Sequence, residues 1–229
     1  MKYAVYTCNV GGYDLMMPPI AKDPLVDYIY FTDQDSAPAG WQHKKILVDK
    51  SECLTARKIK ILSNIFMGNY DLTIWIDASF SPRLRNIRKW AVDALGDNLI
   101  ACYSHNVGYK DCVGRTCIYE EAKECKVLKL DDIRLINFQI AEYRRQKFPE
   151  KFGLFSTGII VRRKHPKIEE FEKIWWQQVA TYSKRDQLSQ MYAIWKCKLS
   201  ISRIVEGGVN IYMSKFFEKH KHIKRRKKK

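Results

Sequence analysis

YDLTIWIDASF, residues 70–80, is the stretch on which the reading of the fold turns. Leu72, Ile74 and Ile76 alternate with Thr73, Trp75 and Asp77. The run is β-branched and aromatic, without Gly or Pro before its end, and so predicts a strand buried on both faces. It ends on Asp77, followed by the small residues Ala78 and Ser79; Pro82 is expected to stop the strand there. A carboxylate at the carboxyl end of a buried strand stands where open α/β sheets bind ligands. The plainer reading is an Asp that only caps the next turn.

Working outward, residues 2–9 predict a first strand that runs into Val10-Gly11-Gly12-Tyr13-Asp14. Paired glycines after a buried strand bring backbone N–H groups near a ligand. The spacing is neither G-x-G-x-x-G nor Walker-type. Residues 27–31 (DYIYF) predict a second strand ending at Thr32-Asp33, and 44–48 a short third. Residues 51–66 read as one helix, N-capped by Ser51, with Arg57, Lys58 and Lys60 in its first half. It directly precedes the Asp77 strand, so its first turns can face the same cleft.

Further on, helices are expected at 88–95, 115–125, 131–147, from Pro166 and at 184–195. Strands are expected at 98–104, 155–162 and 201–205, and 106–114 reads as a loop. About six strands thus interleave with about six helices, which implies α/β architecture with a largely parallel sheet. Asp33, Asp77, Ser79 and His105 recur at carboxyl ends of strands.

With 229 residues, 46% hydrophobic, the chain has the size of one domain with a real core. Residues 1–213 are expected as that domain and 214–229 as a basic tail. The tail holds nine Lys/Arg and one Glu, so +8 of the net +16 sits there. Such a run reads as a solvated tail, or as a tether to anionic lipid heads or nucleic acid, rather than the seat of the activity. No zinc-finger or RNA-recognition signature accompanies it, so no specific nucleic-acid partner is expected. No apolar run nears the roughly 20 residues that span a bilayer. The first residues read as a strand, not a leader. A cytoplasmic protein, held at most peripherally to a membrane, is the expectation. Seven irregularly spaced cysteines argue against a disulfide framework, and the lack of a C-x-x-C pair argues against structural zinc at His105, Cys112, Cys117 and Cys125.

The clustered groups suit one chemistry. A nucleotide-sugar donor carries a diphosphate whose charge grows as the sugar leaves, and that charge must be met by a divalent cation, by Arg/Lys, or by both. Mg²⁺ or Mn²⁺ takes oxygen ligands, and Asp77 with Ser79 supplies such oxygens at i, i+2. Arg57 and Lys60 complement phosphates. Asp186 suits a proton acceptor for a hydroxyl, or a partner for the sugar's hydroxyls.

Taken together, GGYD (11–14), FTD (31–33), TARKIK (55–60), YDLTIWIDAS (70–79), SH (104–105), CIYEEA (117–122), STGIIVRRKHP (156–166) and SKRDQLS (183–189) resemble the glycosyltransferase-like family of plants and bacteria associated with mucilage pectin synthesis, over roughly residues 1–195. One plant member carries an alkaline ceramidase label. The resemblance implies a GT-A-like (Rossmann-like) fold, a mostly parallel central sheet flanked by helices. It implies a glycosyltransferase of hexosyltransferase type, with a nucleotide diphosphate-sugar donor, UDP-sugar favoured, and a glycan or glycolipid acceptor. Asp77 then stands at the first Asp of the metal-binding D-x-D; here Ser79 replaces the second, which bears on metal dependence. Tyr6, Thr7, Gly12, Tyr13 and Asp33 are implied beside the base and ribose, and Arg57 and Lys60 beside the diphosphate. His105, Glu120, Glu121, Thr157, Gly158, Arg185, Asp186 and Gln187 are implied on the sugar and acceptor side. The candidate catalytic residues are Asp186, His105 and Asp77. Two other classes compete: a non-catalytic polyanion- or membrane-binding module using the tail, and a ceramide amidohydrolase. The second lacks H-E-x-x-H and G-x-S-x-G motifs.

Overall fold

Strand β4 (Leu72–Ile76) is buried at every position, as its apolar run requires. It pairs in parallel with β1 (Tyr3–Asn9) and antiparallel with β7 (Phe155–Arg163). The computed structural model describes residues 1–15, 17–105 and 114–223. The remaining strands are β2 (Asp27–Thr32), β3 (Gln42–Lys45), β5 (Phe80–Pro82), β6 (Ile100–Ser104), β8 (Ile201–Ile204) and β9 (Phe217–Lys219). The central sheet runs β3-β2-β1-β4-β7-β6-β8, and only β7 opposes its two neighbours.

Alternation along the strands builds two cores. Tyr6, Trp75, Cys102 and Ile160 enter the larger one. There they meet α1 (Glu52–Ile61), α4 (Ile118–Val127), α5 (Ile133–Arg145), α6 (Pro166–Thr181) and α7 (Gln187–Lys196). Val5, Ile74, Ala101 and Val161 point the other way, onto α3 (Ile87–Leu95), Ile211 and Phe217. The chain is therefore the expected α/β fold with a mostly parallel sheet flanked by helices.

Several boundaries differ from expectation, each because of specific contacts. The single helix expected over 51–66 is two, with a break at Leu62 before α2 (Ser63–Phe66). Side chains take the last carbonyls of α1: Arg162 donates to the Ile61 and Lys60 oxygens at 2.9 and 2.7 Å, and Tyr6 donates to Lys60 O at 3.1 Å. Buried Glu172 then accepts from Asn64 N–H at 3.0 Å and from the Ser63 hydroxyl, starting a new turn. Pro82 does not stop β4, which ends at Ile76; it lies in β5, which pairs with β9. A two-stranded ribbon tolerates proline where a central strand does not. The helix expected from 115 begins at Ile118, because Glu120 accepts from the Thr116 N–H at 2.6 Å ahead of it.

The segment expected as a tail from 214 is folded through 223. Phe217 is buried in the smaller core, β9 pairs with β5, and His222 contacts Asp14. Residues 224–229 lie outside the described residues, as do 106–113 with Cys112. Among the described residues, no helix is long and apolar enough to cross a membrane.

Candidate active site

The carboxyl ends of β1, β2 and β4 share one edge of the sheet, and the antiparallel β7 begins there. Asp77 follows β4, and its N–H donates to Gly158 O on β7 at 2.8 Å. This juxtaposition opens a cleft of about 630 Å³ beside Asp77, Ser79, Thr157 and Gly158, a size ordinary for a small-molecule site.

Helix α1 is aimed at this cleft. Ser51 caps it, accepting from Leu54 N–H at 3.2 Å. Arg57 and Lys60 are three residues apart, so they share a helix face. Lys60 Nζ lies 3.1 Å from Asp77 Oδ1 and 2.7 Å from Asp186 Oδ2; Arg57 Nη1 lies 3.3 Å from the same Asp186 oxygen. The Lys60 side chain is only 1% exposed, whereas Asp77 is about one-third exposed to the cleft. An ammonium so buried needs partners, and here it has two carboxylates and the Trp75 ring, 5.6 Å from its centroid. Trp75 Nε1–H donates to Asp77 Oδ1 at 2.8 Å, fixing that oxygen from the other side.

Asp186 immediately precedes α7, but its side chain caps no N–H of that helix. It reaches across to α1 instead. Burial pushes its carboxyl upward, and the Arg57 guanidinium and Lys60 ammonium more than reverse this, holding it well below the usual carboxylate range. The group is therefore a fixed anion at neutral pH.

Of the residues expected at the site, Tyr13, Arg57, Asp77, Ser79, Thr157, Gly158, Asp186 and Gln187 line the cleft. Lys60 sits beneath its wall, bound to two of them. Tyr6 is buried behind α1, and Thr7 is likewise buried. Asp33 accepts from Gly11 N–H at 3.0 Å and so holds the glycine turn. Gly12 adopts a positive φ of 59° in that turn. His105 belongs to a neighbouring network: its Nε2 is 3.4 Å from Arg115 Nη2, while Arg115 Nε donates to Glu121 at 2.6 Å. Burial lowers the His105 pKa, Glu121 opposes this, and the net direction is downward. Glu121 also faces Arg185, at 3.9 Å.

Among the lining residues that the sequence reading did not assign to the site are Asp14, Lys219 and His222. Asp14 is set by the turn after β1, where Asn9 binds its N–H and carbonyl at 3.1 and 2.8 Å. Lys219 and His222 arrive on the C-terminal segment, which β5 and β9 pin across the mouth. Lys219 Nζ stands 4.7 Å over the Phe80 ring; burial lowers its pKa, against the pull of Asp77 and Asp14. His220 N–H donates to Ser79 O at 2.7 Å, which ties this strap to the Asp77 turn.

Asp77 and Ser79 do not share one side of an extended segment, as their spacing suggested. Phe80 N–H donates to Asp77 O at 2.8 Å, closing a turn through Ala78 and Ser79. With Oδ1 of Asp77 occupied by Lys60 and Trp75, the pair presents one carboxylate oxygen and a hydroxyl next to an ammonium. Among the described residues, no group of three or more His, Cys, Asp or Glu side chains is placed to hold a metal ion. One free carboxylate oxygen beside an ammonium is a poor protein donor set for a divalent cation, which takes oxygen ligands.

Comparison with known proteins gives the class. The model for the TOD1/MUCI70 glycosyltransferase-like domain matches residues 55–224, and the chain belongs to that family. A comparison with curated proteins gives no match. Among solved structures, the apo form of the bifunctional glycosyltransferase WbbM is similar, with a TM-score of 0.47 and 12% identity. That alignment covers 88% of this chain but 38% of WbbM. A protein of STIV aligns with a TM-score of 0.37 and 10% identity, over 89% of this chain and 81% of its own.

Proposed function

We propose that the protein transfers a sugar, of hexose type, from a nucleotide diphosphate-sugar, with UDP-sugar favoured, to a hydroxyl of a glycan or glycolipid. The observation that carries this reading is the Arg57–Asp186–Lys60–Asp77 cluster on the wall of a 630 Å³ cleft at the carboxyl edge of the sheet. Membership of a glycosyltransferase-like family supports it. The nucleotide lies toward the β1 turn and Tyr13, and the diphosphate toward Arg57 and Lys219. The sugar lies toward Asp77, Thr157 and Gly158.

Asp77 meets the donor with its second oxygen, since Lys60 and Trp75 hold the first. Asp186 is a positioning residue that holds Arg57 and Lys60 in place. Two cations make it a weak proton acceptor, so the acceptor hydroxyl gives its proton to the departing phosphate. The basic residues beyond 214 other than Lys219 serve as a contact to an anionic surface.

The test is a thermal-shift and hydrolysis screen with UDP-, GDP- and dTDP-sugars. One donor class should raise the melting temperature of the wild type and not that of Asp77→Ala. No response to any donor would count against the reading.

A further inference from the structure

A divalent ion joining protein to diphosphate would need the carboxylates on this wall of the cleft, Asp77 and Asp186. Both already hold the same ammonium. Lys60 Nζ sits between them, 3.1 and 2.7 Å away, on a side chain 1% exposed. It is part of the folded core and not a mobile surface lysine. A metal ion at the free Oδ2 of Asp77 would meet the like charge of Lys60, which holds the other oxygen of that carboxylate, and one placed between the two carboxylates would have to break both ion pairs. Of the other acids lining the cleft, Asp14 contacts His222, and Glu52 is exposed beside Gly11. Three further cations line the cleft: Arg57, Arg185 and Lys219. Lys219 is tethered by β9 and lies in the field of Asp77.

Resting on the transferase reading above, we propose that this site works without a divalent cation. Lys60 is the built-in positive charge between Asp77 and Asp186, and Arg57, Arg185 and Lys219 neutralise the diphosphate. In the transfer, the bond from the sugar's anomeric carbon to the phosphate oxygen breaks and its electron pair stays on that oxygen. The acceptor oxygen bonds the anomeric carbon and its proton passes to the phosphate. The three cations meet the charge that develops between these events.

Mn²⁺ alone is a sufficient probe, because its binding does not depend on whether the donor has been identified. Wild-type protein titrated with Mn²⁺ should show the same binding as Asp77→Asn. Lys60→Met, which vacates the space between the two carboxylates, should gain a Mn²⁺ site that is lost again when Asp77→Asn is added. A stoichiometric wild-type site abolished by Asp77→Asn would overturn the proposal, as would a folded Lys60→Met that binds no more Mn²⁺ than the wild type. If Lys60→Met does not fold, the wild-type comparison decides alone. In the donor screen, the thermal shift should be the same in EDTA as in Mn²⁺; a shift that requires Mn²⁺ overturns this proposal while leaving the transferase reading standing.

Discussion

Lys60 on α1 and Asp186 at the start of α7 form a buried ion pair at 2.7 Å, both side chains less than 5% exposed. This pair joins the two helices that frame the cleft from the larger core. Each charge keeps one partner when the other is removed, Asp77 for Lys60 and Arg57 for Asp186, so the loss falls short of the about 3–5 kcal/mol of a buried pair broken outright. Asp186→Ala should therefore lower unfolding stability by about 1–3 kcal/mol, read from urea denaturation. Lys60→Met combined with Asp186→Leu should lose less than the two single changes added together.

The same pair sets a pH dependence. The Asp186 carboxyl is depressed in the folded state relative to an unfolded aspartate near 3.9. The unfolded chain therefore binds the proton first as pH falls. The contribution is complete above about pH 5 and is lost progressively below it, as pH falls toward the folded value. Urea midpoints measured between pH 7 and pH 2 should show this acid-limb loss in the wild type. In Asp186→Asn the limb should be shallower.

Much of the frame was legible in the sequence because strong local patterns fix it. Residues 72–76 could bury an all-apolar run only inside a sheet, and Asp77 had to follow at its edge. Arg57 and Lys60 were placed by helical spacing and by the order of α1 before β4. What escaped depends on contacts distant in sequence. The break at Leu62 is imposed by Arg162, a hundred positions on, through carbonyls that carry no sequence signature. The C-terminal strap was hidden by its charge. Residues 214–223 are rich in Lys and His, yet Phe217 is buried and Lys219 faces the cleft. The run of cations outweighed three strand residues too few to register as a period.

Gly158 is set by close approach, not by backbone angle. A Cβ there would come within 2.9 Å of Ile211 Cδ1, 3.3 Å of Phe80 and 3.5 Å of Asp77 Oδ2. These neighbours belong to the packed end of the smaller core, and overfilling such a place costs about 1–3 kcal/mol. Gly158→Ala should lower stability in that range. It should also weaken donor binding more than its stability loss explains, because the added methyl crowds the oxygen that Asp77 turns to the cleft. Binding titrations carried out well below the melting temperature separate the two effects.

Lys219 offers the cleanest separation of structure from site. Its strand is held by backbone pairing of β9 to β5 and by Phe217, which is 1% exposed, so the fold does not need the ammonium. Burial already disfavours its charge, so replacing it with an uncharged chain of similar length removes a cost along with a contact. Lys219→Met should keep the wild-type melting temperature within a degree or two. If its ammonium meets the diphosphate, a charged hydrogen bond of about 1.5–3 kcal/mol is lost, and donor affinity falls about tenfold or more. Truncation before Phe217 should behave differently, lowering the melting temperature and donor affinity together, because it also strips β5 of its partner and opens the smaller core. Equal affinity of Lys219→Met and wild type for the same donor would place the phosphates on Arg57 and Arg185 alone.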